Sequence, residues 1–304
     1  MSEPVTIKRG TEIELEIESL AYGGMGLARI ENFVIFVKYA IPGQKVLARI
    51  YKKRKGYAEA QVLETLVESP NAVDVCCEHY WICSKIQSLS YDEQIKEKSS
   101  QVEDAFVRLG GFLNFKLDKV QKANLIYHYR NKMEFTFSPN RWVLESEPEG
   151  VDKSFALGLH IPGRFDKILD IHNCHIQPEI GNKILAVARE VCLANPELRP
   201  YDPRSHIGFL RFLMLRFGVN TGDLMVNVVT SYHDIDKLSP LTDLLLEKFP
   251  EITSLVNNVN TRKADVAFGE YETLLYGKPF IQEKIGDLTF EISANSFFQT
   301  NTTQ

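Results

Sequence analysis

Polar and apolar residues alternate over Thr11–Glu18 (TEIELEIE), the pattern of a half-buried strand. The glycine-rich turn Tyr22-Gly23-Gly24-Met25-Gly26 follows, then short apolar runs at Leu27–Ile30, Val34–Val37, Val46–Tyr51 and Tyr57–Leu63. Pro42-Gly43 separates two of these runs. Five short strands so closely spaced predict a small closed barrel of the OB type. The pattern breaks at Ser69-Pro70. Ser90–Gly111 then predicts a helix: Ser90 or Asp92 can cap it, Ile95, Val102, Phe106 and Leu109 share a face, and Gly110-Gly111 stops it. Beyond residue 124 both periods occur. Strands are expected at Met133–Ser138, Phe155–His160 and Ile168–Ile171. A hairpin is expected at Phe212–Phe217 and Leu224–Thr230, and helices at Ile180–Ala194 and Leu241–Lys248. The fold class is multidomain α+β: an N-terminal OB-like β-barrel and a central α+β domain.

The net charge of −5 gives no sign of a nucleic-acid partner, but local charge does. Asn32–Ala58 holds no acid and seven bases: Lys38, Lys45, Arg49, Lys52, Lys53, Arg54 and Lys55. The run Lys52–Lys55 falls on the turn between the last two barrel strands, where it can meet phosphates; a solvated loop is the alternative. No apolar run approaches the ~18–20 residues that span a bilayer, and the N-terminal stretch lacks a signal-peptide core. The expectation is a cytoplasmic protein with no membrane partner.

Five cysteines in such a protein argue against disulfides. Cys76, Cys77 and Cys83 lie within eight residues, and Cys174 ends an expected strand. Clustered thiolates suit zinc or iron–sulfur sites, and buried free thiols are the alternative. Cys192 forms a row with Ile184 and Ala188 on one helix and reads as core.

Other constellations carry weaker chemistry. Arg130-Asn131-Lys132 opens a strand and could hold a phosphate or a base edge. The turn Pro162-Gly163-Arg164-Phe165 carries a cation and a ring on its tip. Arg211 and Arg216 share one strand and need partners, for which RNA or internal acids would serve. The chain closes on FEISANSFFQTNTTQ, where Phe297 and Phe298 are expected to meet a surface beyond Gln304, because undocked termini fray. No phosphate loop, dinucleotide fingerprint, nucleophile elbow or zinc-protease motif is present, so no catalytic centre is visible from motifs.

Taken together, several blocks resemble the bacterial RNA uracil-5-methyltransferases of the 23S rRNA branch. ESLAYGGMGLARIENFVIFVKYAIPGQKVLARI is similar to their TRAM domain, and CEHYWIC with the helix after it to their cluster loop. YRNKMEF, LGLHIPGRFDKILDIHNCHIQ, GFLRFLMLRFGVNTGDLMV and FEISANSFFQTN follow in the family's order. The resemblance implies transfer of a methyl group from S-adenosylmethionine to C5 of a uridine in ribosomal RNA by a monomeric enzyme. A cysteine thiolate would add to C6 of the flipped base, and a carboxylate would remove the C5 proton. It further implies that Gln299 and Phe297 serve the cofactor site, that Arg130 and Lys132 face RNA, and that Cys77, Cys83 and Cys174 match ligands of a [4Fe–4S] cluster. Ser84 stands where the third ligand is expected, which leaves three thiolates. The implied domains are a TRAM barrel at 1–66, a central domain at 67–91 and 124–288, and elements of a Rossmann-like methyltransferase domain at 92–123 and 289–304. The nucleophile and the proton-abstracting carboxylate are expected after the FFQTN block. A standalone RNA-binding protein without catalysis and an iron–sulfur redox protein are the rival readings.

Overall fold

The computed structural model describes residues 7–264 and 266–304, which divide after Lys122 into two compact units. In the first, six strands form one sheet: β1 (Glu12–Glu16), β2 (Ser19–Ala21), β3 (Met25–Ile30), β4 (Phe33–Lys38), β5 (Lys45–Lys53) and β6 (Tyr57–Val67). The order is β1-β5-β6-β4-β3-β2. β1 and β2 stand at opposite ends of that order, yet only Ile17 and Glu18 separate them, so the sheet must curl back on itself. Ile13, Leu15 and Ile17 point into a core shared with Ile35, Val37, Val46, Ala48 and Ile50. β2 adds a sixth strand to the five expected; at three residues it is too short to show an alternation.

Residues 67–122 cluster with this unit. They contain α1 (Tyr80–Cys83), α2 (Tyr91–Asp104) and a π turn at Ala105–Leu109. The reason lies in β2, an edge strand whose backbone groups need partners. The Leu20 N–H donates to Glu97 of α2 (2.9 Å), and Gln101 of α2 donates to the Leu20 carbonyl (3.1 Å). The Leu20 side chain packs with Ile41, Ile86 and Leu89. The apolar face expected on α2 buries nothing: no residue of the helix is buried, and Val102 and Phe106 are exposed.

The second unit contains β7 (Lys132–Ser138), β8 (Arg141–Trp142), β9 (Ala156–His160), β10 (Ile168–Asp170), α3 (Glu179–Ala194), β11 (Leu210–Phe217), β12 (Leu224–Thr230), α4 (Ile235–Lys248), β13 (Ser254–Val259), β14 (Tyr271–Gly277), β15 (Phe280–Ile285) and β16 (Leu288–Ser293). Eight strands form a mixed sheet in the order β14-β13-β12-β11-β7-β9-β10-β8, and β15 pairs with β16. Every residue of β11, β12 and β13 is buried. Such strands read as continuous apolar runs, and the β11–β12 hairpin forms where the pattern places it. β13 (SLVNNV) escapes the pattern because its asparagines are buried. Asn257 donates to the Val228 carbonyl and Thr230 Oγ1, and Asn258 to Asn227 Oδ1. α4 starts before the expected Leu241 because Asp234 caps it, accepting from the Lys237 N–H at 3.0 Å. Ile184, Ala188 and Cys192 are buried on α3 as the row predicts.

The tail packs within this unit as well. Ile292, Ala294 and Phe298 pack on Met225, Val256 and Ile281. Phe298 thus finds its surface within the chain. Glu283 of β15 ties the tail to the β11–β12 turn. Its fully buried carboxylate accepts from the N–H groups of Val219 (2.7 Å), Asn220 and Lys284 (both 2.9 Å) and from Thr302 Oγ1 (3.0 Å).

Two predictions concern stability. A Cβ on Gly158 of β9 would lie 1.9 Å from the Leu169 carbonyl oxygen of β10, whereas one on Gly56 would meet nothing within 4 Å. Gly158→Ala should cost about 2–3 kcal/mol in urea denaturation and Gly56→Ala far less; equal effects would refute the close approach. Glu283→Gln replaces an acceptor with a donor facing N–H groups and should cost about 2 kcal/mol. Limited proteolysis should then cut faster after residue 294, and an unchanged cleavage rate would show that this carboxylate does not hold the tail.

Candidate functional site

On the outer face of the barrel, cations and rings interleave. Lys38 Nζ lies 4.7 Å from the Tyr51 ring centroid, Lys53 Nζ 5.9 Å from Phe33, and Lys52 Nζ 6.0 Å from Tyr57. Tyr57 meets Phe36 edge-on at 5.6 Å. The basic tract is partly neutralised from within. Glu14 and Glu12 of β1 pair with Lys45 (2.6 Å) and Arg49 (2.7 Å), and Glu59 of β6 pairs with Lys52 (2.5 Å). Burial, together with a hydrogen bond to Glu59, holds the Tyr51 hydroxyl protonated. Lys53, Arg54 and Lys55 project from the turn with no carboxylate partner among the described residues.

Cys76 and Cys83 are exposed, while Cys77 is buried and accepts from Gln87 Nε2 at 3.6 Å. Burial, and then the neighbouring Cys76 and Cys83, push the Cys77 thiol up to about 11. Cys174 is buried in the second unit, its N–H donating to Asn182 Oδ1 at 2.9 Å. Among the described residues no group of three or more His, Cys, Asp or Glu could hold a metal ion. With Ser84 in the third ligand position, the donor set does not fit a [4Fe–4S] cluster, and no chemistry is derived through one. Cys192 lies inside α3, and burial pushes its thiol up to about 12, which leaves almost no thiolate near neutrality.

In the second unit the start of β7 and the tail form a cleft of about 150 Å³ lined by Arg130, Lys132, Glu134, Phe297 and Phe298. Four residues that the sequence singles out thus meet at one place: Arg130, Lys132 and Phe297 line the cleft, and the Gln299 backbone anchors it. Asn131 Nδ2 donates to the Gln299 carbonyl (2.9 Å) and to Thr302 Oγ1 (2.7 Å). Arg216 of β11 donates to the Ala294 carbonyl (3.0 Å) and to that of Ser296. Phe298 is half-buried, whereas the Phe297 ring is 87% exposed. Burial, then Arg216, lowers the Lys132 pKa; Glu134 opposes this from 3.8 Å. Burial likewise lowers the Arg216 pKa. Two cations, Arg130 and Lys132, thus line the cleft against the single carboxylate of Glu134, an arrangement suited to an anion.

The two arginines of β11 are ligated by backbone carbonyls, partners that the sequence did not suggest. Arg211 donates to the carbonyls of Asn260 (2.8 Å), Arg262 (2.6 Å) and Ala264 (2.7 Å), just as Arg216 donates to those of the tail. Carbonyl ligation leaves no mark on sequence spacing. The role of Asn131 in fixing the tail was equally invisible, since Gln299 and Thr302 lie some 170 residues away.

The family model of the TRAM domain matches residues 7–63. Over 300 residues, 95% of its length, the chain is 38% identical to an uncharacterized RNA methyltransferase of Porphyromonas gingivalis, covering 64% of that protein. It is 42% identical over 270 residues to an uncharacterized RNA methyltransferase of Chlorobaculum tepidum, covering 86% of the chain and 56% of the relative. A solved structure, the tRNA (uracil-54, C5)-methyltransferase of Pyrococcus abyssi in complex with S-adenosyl-L-homocysteine, matches with a TM-score of 0.68. That match covers 95% of this chain and 62% of the other at 23% identity, a likeness of fold. The chain spans less than two thirds of the length of these relatives. A TRAM domain at the front and sequence likeness along nearly the whole chain make it similar to these RNA methyltransferases over the part of their length that it spans.

Proposed function

We propose that this chain holds RNA for S-adenosylmethionine-dependent methylation of uridine C5, with 23S ribosomal RNA as the substrate. One observation carries the reading. Arg130 and Lys132 converge beside the exposed Phe297 ring, in a cleft walled by a tail that hydrogen bonds from Asn131 and Arg216 hold in place. Cations take a phosphate, and an exposed ring takes a base or an adenine face. The barrel face of interleaved lysines and aromatics offers a second surface of the same chemistry. Phe297 and the exposed side chain of Gln299 would hold S-adenosylmethionine, which supplies an electrophilic methyl group. Neither the buried Cys192 nor Cys77 is suited to attack C6, because a nucleophile there must be a thiolate.

The reading is tested by incubating the protein, purified from its own source, with unmodified ribosomal RNA and methyl-labelled S-adenosylmethionine. Label in 5-methyluridine is expected; label in any other nucleoside, or none with RNA still bound, would refute it.

The barrel face gives a separate prediction. Because Lys52 is already paired with Glu59, Lys52→Ala should leave RNA affinity nearly unchanged. The triple variant Lys53→Ala, Arg54→Ala and Lys55→Ala should weaken binding and flatten the log–log salt dependence by about 2, at roughly 0.7 per single-strand phosphate contact. An unaltered slope would mean that the turn is merely solvated.

A further inference from the structure

The end of β11 away from the tail opens onto a larger concavity of about 560 Å³. β11 starts here, and β12 and β13 end here, so Phe209, Tyr232 and Thr261 come together from three strand ends. From Phe209 to Arg216 the strand runs about 20 Å, so this concavity and the tail cleft lie at opposite ends of one rigid element. Glycine makes the opening. Gly208 has φ +123°, and a Cβ there would lie 2.1 Å from the Pro200 carbonyl oxygen.

The wall is aromatic and fixed. Phe209 and Tyr232 have ring centroids 4.9 Å apart. Lys237 braces both: Nζ lies 3.1 Å from the Tyr232 hydroxyl and 5.3 Å from the Phe209 centroid. Hydrogen bonds, first to Tyr232 and then to Glu197, raise the Lys237 pKa, so it remains a cation. Phe209 is buried behind the wall, whereas Tyr232 is 42% exposed. Arg199 and Lys263 stand exposed on the rim, and Glu197, already paired with Lys237, is the only acid among the described lining residues. An open ring face beside two rim cations matches a base and the phosphate attached to it. The volume lies within the range of small-ligand sites.

We infer that this concavity holds one unstacked nucleotide of a single-stranded RNA, the base on Tyr232 and its phosphate between Arg199 and Lys263. It is a holding site separate from the tail cleft. The inference rests on the RNA-binding reading, and it adds a second grip at the far end of β11, so that one strand of RNA would be held at both ends of the sheet.

The test uses the 304-residue chain and a fluorescent single-stranded oligouridine, with affinity followed by anisotropy against salt. Tyr232→Ala should weaken binding roughly tenfold, and Tyr232→Phe, which keeps the ring, should bind like the parent. The pair Arg199→Ala and Lys263→Ala should lower the salt slope by about 1.4. All these positions are exposed, so the fold should survive, and 4-thiouridine in the probe should crosslink to Tyr232. If these variants bind like the parent while Phe297→Ala weakens binding, the RNA reading stands and this site falls. If the parent binds no RNA, both fall. If free uridine monophosphate occupies the concavity as tightly as the oligonucleotide, the ligand is a mononucleotide and the inference is overturned.

Discussion

Two buried guanidinium groups on one central strand organise the second unit. Burying a cation is costly, and backbone carbonyl oxygens offset much of the cost here. Arg211 gathers the carbonyls of residues 260, 262 and 264, and Arg216 gathers those of 294 and 296. Each arginine thus fixes an irregular segment that no sheet or helix would otherwise hold. Those two segments border the two concavities. β11 is therefore both the middle of the apolar sheet and the part from which both candidate sites are positioned. Substituting either arginine would release a loop as well as empty a buried volume.

The same economy shapes the electrostatics. A chain of net charge −5 can still present cations because its acids are spent at particular places. On the barrel, Glu12, Glu14 and Glu59 neutralise Arg49, Lys45 and Lys52, which leaves the tip of the turn positive. At the tail cleft the balance runs the other way. Burial depresses the pKa values of both Lys132 and Arg216, and at Lys132 the like charges of Arg216 and Arg130 add to it. An anion arriving there would relieve that repulsion, so the site is set to favour a phosphate before any ligand contact is counted.

How much of this was legible depended on how local the cause was. The strands β3 to β6 and the β11–β12 hairpin could be read because burial imposes a period or a continuous apolar run on the residues themselves. β13 could not, because buried asparagines that satisfy one another across strands look like a polar loop in one dimension. The apolar positions of α2 promised a buried face, but the contacts that hold the helix come from Glu97 and Gln101, on its polar side. Among the site residues, the rings and cations were visible by type. The pairing that removes Lys52 from the exposed set depends on the β5–β6 register, and the placement of Phe297 beside Arg130 depends on a contact spanning most of the second unit.

The adjacent rings Phe297 and Phe298 show what that placement achieves. Successive residues in an extended tail point to opposite sides, so if one ring docks, the other faces out. Phe298 docks on the β15–β16 side, 5.7 Å from Phe290, and Phe297 is left in solvent. Leaving a phenylalanine exposed forgoes roughly 1.5–3 kcal/mol that its burial could have supplied. A loose tail would recover that by folding the ring inward. Here it cannot: Arg216 holds the carbonyls of residues 294 and 296 ahead of the ring, and Asn131 holds residues 299 and 302 behind it. The exposure of Phe297 is thus imposed by clamps on both sides, and a ring held out in this way loses little conformational entropy when a flat partner stacks on it.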